Sequence, residues 1–282
     1  MHTESNQGNP HIRNPYKLSG VILILIGILL GLDQILKTGW LSFFIFPFCG
    51  VIMICLGLYL RGFGWLIAGS LVLGLGWGGY FLLYGASQIV TVGRVGAALV
   101  VFGGSWCLIP MLSAVIHRPV AWWALVPGGV LVGAGLALSG SPLEVVDFVL
   151  YILCGLGLGL LIWGMAAKLF GLIISGSLLL GIGPGIYFGW RDLVDINVLA
   201  QTGVMLVFFA FGWGLITVLA RRIYGKFIWW PLIPGGILAV AGWGLFIGGD
   251  PGNALGFIGN TGTIGILVFG LYLILMRKGI HN

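Results

Sequence analysis

Few side chains in this chain can do chemistry, and where they fall limits what that chemistry is. Among 282 residues there are 13 Lys or Arg, 7 Asp or Glu, 4 His and 4 Cys. The cysteines Cys49, Cys55, Cys107 and Cys154 lie inside apolar runs, where buried free thiols are expected. They form no Cys-x-x-Cys pair, and His2, His11, His117 and His281 are scattered over the tails and one short loop, so no metal site or other cofactor is expected. All 20 charged residues fall at the ends of apolar stretches, in loops or in tails. Proton relays, voltage sensors and transporters of charged substrates need ionisable groups at depth. An intramembrane enzyme needs an acid, a base or a nucleophile there. The chain therefore reads as non-catalytic.

Two segments remain as candidates for a ligand or packing site, Pro127-Gly128-Gly129 and Pro234-Gly235-Gly236, each placed six to eight residues inside an apolar stretch. Proline removes a helical hydrogen bond, and two following glycines leave backbone groups open to a ligand or to a closely packed helix. The Trp122-Trp123 and Trp229-Trp230 pairs beside them suit a membrane interface. Glu144 and Asp147 have two readings. They form a cation site, or Ser141-Pro142-Leu143-Glu144 is a helix start with Ser as cap and Glu as its capping-box partner. Asp192 and Asp195 suit a helix N-terminus, and Asp250-Pro251-Gly252-Asn253 suits a turn. Thr91-Val92-Gly93 has the opening of a potassium-filter loop, but Arg94 stands where the aromatic residue belongs. The glycine runs at 74–79 and 181–185 follow no strand, so they read as helix packing rather than phosphate loops.

These residues are carried by elements that only a bilayer can accommodate. Hydrophobic residues make up 59% of the chain and charged residues 7%, against about 25% charged in a soluble domain. Mean hydropathy is +1.13. A hydrocarbon core of ~30 Å needs about 20 apolar residues per helix. Ten stretches qualify, near 18–36, 42–60, 64–84, 95–116, 121–139, 146–167, 170–189, 198–220, 227–247 and 256–276. Lipid satisfies no backbone polar group, so the expectation is an all-α polytopic bundle. Residues 1–17 read as a disordered polar tail, 18–277 as the transmembrane bundle, and 278–282 as a short C-terminal tail.

Sorting charges by side of the membrane puts Arg13, Lys17, Arg61, Arg118, Lys168, Arg221, Arg222, Lys226, Arg277 and Lys278 on one rim, with Glu4. The other rim holds Lys37, Arg94 and Arg191 against six acids, Asp33, Glu144, Asp147, Asp192, Asp195 and Asp250. The positive-inside rule makes the first rim cytoplasmic, with both termini inside a bacterial inner (plasma) membrane. Its loops are too short to seat nucleic acid, so the expected partners are membrane lipids, other membrane proteins or a second copy of the chain.

Residues 64–139 recur 107 positions later as 171–246, with Gly69-Ser70 matching Gly176-Ser177 and Trp106 matching Trp213. Extended to its helix boundaries, the duplication covers 42–139 and 149–246. Glycines spaced by seven run through it, as Gly20 and Gly27, Gly50 and Gly57, Gly69 and Gly76, Gly96 and Gly103, Gly128 and Gly135, Gly157 and Gly164, Gly176 and Gly183, and Gly235 and Gly242. Seven residues is two turns, so each pair marks one close-packing face. The expected unit is a Gly-rich hairpin of an odd stretch and the even stretch after it, five in all and oriented alike rather than inverted.

The first such hairpin carries Gly20, Gly27, Leu32-Asp33, Phe46-Pro47, Gly57-Leu58-Tyr59-Leu60 and Arg61. In this it resembles the LiaI/LiaF-type bacterial transmembrane module, most clearly over 18–62. The resemblance implies a partner-regulating or envelope-stress role rather than catalysis. The chain departs from the LiaF pattern after Arg277-Lys278, where that pattern continues into a soluble domain. A transporter for a neutral or lipidic small molecule, using the paired Pro-Gly-Gly breaks, is the alternative.

Overall fold

The computed structural model describes residues 40–84, 91–116, 119–140, 144–191 and 197–248, and single helical positions within 20–35 and at 267 and 270. The described residues are helical, with no strand among them. Eight long helices follow one another: α1 (Trp40–Leu60), α2 (Phe63–Tyr84), α3 (Thr91–Val115), α4 (Leu125–Ser139), α5 (Val145–Ala167), α6 (Phe170–Trp190), α7 (Val198–Tyr224) and α8 (Leu232–Gly248). A 3-10 turn, Trp122–Ala124, leads directly into α4. Six segments are long and apolar enough to cross a membrane: Phe63–Leu83, Val92–Val115, Trp122–Ser139, Val145–Ala167, Phe170–Trp190 and Val198–Tyr224. Phe44–Leu60 and Leu232–Gly248 are apolar but shorter. The expected stretches at 18–36 and 256–276, the tails, and Ser141 to Leu143, Asp192, Asp195 and Asp250 lie wholly or largely outside the described residues. The chain is thus a multi-pass helical membrane protein.

The helices do not close into a bundle among the described residues. Every substantial contact between helices joins sequence neighbours, from α1 with α2 through to α7 with α8. The result is a single row of antiparallel helices. With lipid on both sides there is little hydrophobic force between helices, so close backbone approach at small residues must hold them.

Glycines supply that approach in two alternating seams. In the first kind, the glycines spaced by seven face one another. A Cβ on Gly50 would lie 2.6 Å from the Leu73 nitrogen and 2.9 Å from the Gly69 oxygen, and one on Gly76 would lie 2.7 Å from the Pro47 nitrogen. Gly96 meets Gly135 and Gly103 meets Gly128, with Cβ-to-oxygen approaches of 2.6 and 2.9 Å. Gly157 meets Gly176, and Gly203 meets Gly242. These seams join α1 to α2, α3 to α4, α5 to α6 and α7 to α8. That shifts by one helix the pairing expected from the sequence, which coupled each odd stretch to the even stretch after it.

In the second kind of seam the small residues are four apart. Gly74 and Gly78 of α2 meet Ser105 and Ala98 of α3, Gly129 and Gly133 of α4 meet Gly155 and Tyr151 of α5, and Gly181 and Gly185 of α6 meet Phe208 and Met205 of α7. Each interior helix thus has two small-residue faces, one for each neighbour. Two of the turns closing the first kind of seam are only two residues long. In both, a basic residue takes the left-handed conformation, Arg61 at φ 50 and Lys168 at φ 54. The following amides reach back, from Gly62 to the Gly57 oxygen (3.0 Å) and from Leu169 to the Gly164 oxygen (2.8 Å). This satisfies helix-end carbonyls and sets positive charge where the helix dipole is negative.

Candidate functional site

The two Pro-Gly-Gly segments lie at helix starts rather than six to eight residues inside a helix. Pro127 is the third residue of α4 and Pro234 the third of α8. In a first turn the missing N–H would have had no intrahelical partner, so neither proline breaks a ladder. The glycines are occupied by neighbours. A Cβ on Gly128 would lie 3.0 Å from Trp106 Cβ and 3.1 Å from the Gly103 oxygen, and one on Gly129 would run into the Gly155 carbonyl. A Cβ on Gly235 would lie 3.0 Å from Trp213 Cβ, while Gly236 has open space. The indoles stack edge to face at both places, Trp106 on Trp123 at 6.1 Å and Trp213 on Trp230 at 5.9 Å. Both inner indole nitrogens, on Trp106 and Trp213, are buried without a hydrogen-bond partner.

Glu144 and Asp147 do meet a cation, and it belongs to the chain. Arg191, at the end of α6, reaches Asp147 at 3.1 Å and Glu144 at 3.7 Å, and its guanidinium lies 4.8 Å over the Tyr187 ring. The capping box is not formed in the expected way. Glu144 is itself the extended residue before α5, and its side chain makes no cap bond. At the far side of the next loop Asn197 caps α7, its oxygen accepting from the Ala200 amide at 2.9 Å.

The cysteines are free thiols, Cys55 exposed and Cys49, Cys107 and Cys154 half-buried. Among the described residues no three His, Cys, Asp or Glu side chains come together as a metal site would require. Of the five buried hydroxyls among the described residues, those of Ser105 and Ser113 find carbonyls. Ser113 donates to the Pro110 oxygen at 3.0 Å and accepts from the Ala121 amide at 3.1 Å, fastening the turn before α4. Ser70 and Ser177, each fully buried, and Thr217, 4% exposed, have no partner for their hydroxyls.

A groove opens on α7 among the described residues. Its volume is about 1070 Å³, and its walls come from α6 (Leu180, Pro184), α7 (Phe208, Phe211, Leu215, Val218) and Leu232 of α8. At one end stand Arg221, Arg222 and Phe227, and Thr217 lies on the wall one turn before Arg221. None of these residues stood out as a site in the sequence. The available signal was a difference in sequence, since 107 positions before Gly214, Thr217, Arg221 and Arg222 stand Cys107, Pro110, Ala114 and Val115.

No protein-family model, curated protein or solved structure matches the chain. What defines its class is the row of membrane-length apolar helices among the described residues, that of an integral multi-pass membrane protein.

Proposed function

We propose that this chain is a non-catalytic membrane protein that works by packing, presenting its helical row to lipids and to partner membrane proteins or further copies of itself. The observation that carries this reading is neighbour-only packing, which leaves large apolar side chains exposed along the row. Leu75 is 57% exposed, Met111 67%, Phe211 69% and Ile237 65%. Contiguous apolar surface of this kind is open to lipid and to the helices of membrane partners. The glycine-faced hairpins and the absence of charge at depth in the sequence support the same reading. The likeness of residues 18–62 to the LiaI/LiaF-type module supports a regulatory role near the envelope. Charge asymmetry supports a basic rim on the cytoplasmic side of a bacterial inner membrane, with both termini there.

The test is photo-crosslinking in the native membrane from positions 75, 111, 211 and 237, followed by mass spectrometry. Reproducible adducts to a defined membrane protein, or to a second copy, at a subset of these positions are the expected result. Solute or lipid movement by the purified protein in proteoliposomes would sink the proposal. That outcome belongs to the second reading, a transporter for a neutral or lipidic molecule. What favours it is the groove on α7 rather than the Pro-Gly-Gly segments, whose inner glycines are filled by neighbouring helices.

A further inference from the structure

We infer that the groove on α7 is a binding site for one anionic glycerophospholipid, its phosphate held between Arg221 and Arg222 and one acyl chain laid along the helix toward Phe208. The inference rests on the reading of the chain as a membrane protein acting through its lipid-facing surfaces, and names one site and one class of lipid on them.

Length is the first support. From Arg222 to Phe208 the helix rises about 21 Å, at ~1.5 Å per residue. One leaflet offers ~15 Å of hydrocarbon, and the headgroup layer adds roughly 6 Å. A groove that starts at two arginines and runs this far along apolar walls has the dimensions of a single lipid. Phe208, Phe211, Leu215 and Val218 from α7 and Leu180 from α6 form the acyl part. Gly214 keeps the floor open, since a Cβ there would meet nothing within 4 Å.

Charge is the second. Arg221 and Arg222 are exposed, and no ion pair joins either to a carboxylate among the described residues. Guanidinium groups bind phosphate oxygens in a planar fork, and two adjacent ones match a phosphodiester better than a neutral headgroup. Neutralising the negative end of α7 explains a basic residue at this position. It does not explain the third feature, the Thr217 hydroxyl. That group is buried and unpartnered, although a helical threonine ordinarily bonds a carbonyl of the preceding turn. Thr217 lines the groove one turn from Arg221, and a rotation of its side chain, whose oxygen is closed to solvent here, would present the hydroxyl to a phosphate or ester oxygen. The polar features also stand together in one copy of the repeat only, with Cys107, Pro110, Ala114 and Val115 at the corresponding positions of the other.

The experiment is native mass spectrometry of the full chain in detergent, titrated with dioleoyl phosphatidylglycerol, dioleoyl phosphatidylcholine or oleate. The expected result is one phosphatidylglycerol retained roughly tenfold or more tightly than phosphatidylcholine, given ~1 kcal/mol per basic side chain near an anionic headgroup. The double variant Arg221→Gln/Arg222→Gln should lower phosphatidylglycerol to the phosphatidylcholine level. Gly214→Phe, whose Cβ has open space and whose ring would enter the groove, should weaken both phospholipids. Arg61→Gln, on the same rim but at the α1–α2 turn, should change neither. No preference among the lipids, equal binding of oleate, an equal loss from the Arg61 variant, or unchanged binding by Gly214→Phe would each overturn the proposal. So would crosslinking of a photoreactive residue at 214 to residues 256–276, which would make the chain's own segment the occupant. None of these results alters the partner adducts expected at positions 75, 111 and 237, so this site and the wider packing role fail separately.

Discussion

The side chains with chemistry are used as fasteners at the ends of helices. Arg191 joins the end of α6 to the start of α5 through Asp147 and Glu144, with Tyr187 beneath the guanidinium. The Asp147 contact is the shorter and drier, with that side chain 18% exposed against 43% for Glu144. Ion pairs open to water contribute about 0.2–1 kcal/mol, because solvent screens them and long side chains lose freedom. A double-mutant cycle of Asp147→Asn with Arg191→Gln should therefore give a coupling near the top of that range. The same cycle with Glu144→Gln should give less than half as much, and both should shrink in high salt. Unfolding of the reconstituted protein in a denaturing detergent series measures both, and equal couplings would show that the two acids share the cation evenly. The sequence placed both acids on one rim but offered two readings for them. The cation that decides between those readings lies 44 positions after Asp147 in the chain, a distance that local spacing cannot bridge.

Between helices, position along the glycine pattern sets the effect of a substitution more than residue type does. Gly135 and Gly104 both lie in membrane-length helices. A Cβ on Gly135 would lie 2.6 Å from the Gly96 oxygen and 2.7 Å from the Val100 nitrogen, whereas one on Gly104 would meet nothing within 4 Å. Gly135→Ala must push α3 and α4 apart and should destabilise by about 1–3 kcal/mol, the usual cost of overpacking. Gly104→Ala should be neutral or stabilising by up to ~1 kcal/mol, since alanine is the better helix former. Detergent-denaturation midpoints of the two variants check this, and a matching loss in both would mean that the seams are not the source of stability. The seven-residue spacing was visible in the sequence because both faces of each such seam carry it. Which neighbour a given face meets was not, because odd and even stretches bear the same spacing and either pairing satisfies it. Two of the four such seams, α1–α2 and α5–α6, are closed by two-residue turns at Arg61-Gly62 and Lys168-Leu169. The glycines four apart, at 74 and 78 or 129 and 133, mark the other set of seams and complete the row.

At the scale of the molecule, a row in which, among the described residues, each helix packs substantially only on its neighbours behaves as a one-dimensional array. Stability in such an array is a sum of local and nearest-neighbour contributions rather than one cooperative core. Ten apolar stretches imply a bundle as readily as a row, since hydropathy reports burial in lipid or protein alike; the openness of the row comes only from which helices meet. The architecture makes a mechanical prediction. When the reconstituted protein is pulled from its C-terminal end, α7 and α8 should leave the membrane as one step after the 256–276 stretch, followed by α5 with α6, then α3 with α4, and then α1 with α2. The seams of paired seven-spaced glycines, two of them closed by two-residue turns, are those that hold within each step. Gly69→Leu, placed where a Cβ already approaches the Ile54 nitrogen to 2.8 Å, should lower the force of the α1–α2 step alone. A closed bundle would transmit that defect, lowering the force of the α7–α8 step as well. Force spectroscopy of the wild type and the variant, compared step by step, separates the two, and a change in the α7–α8 step on substituting Gly69 would mean that the ends of the row are in contact.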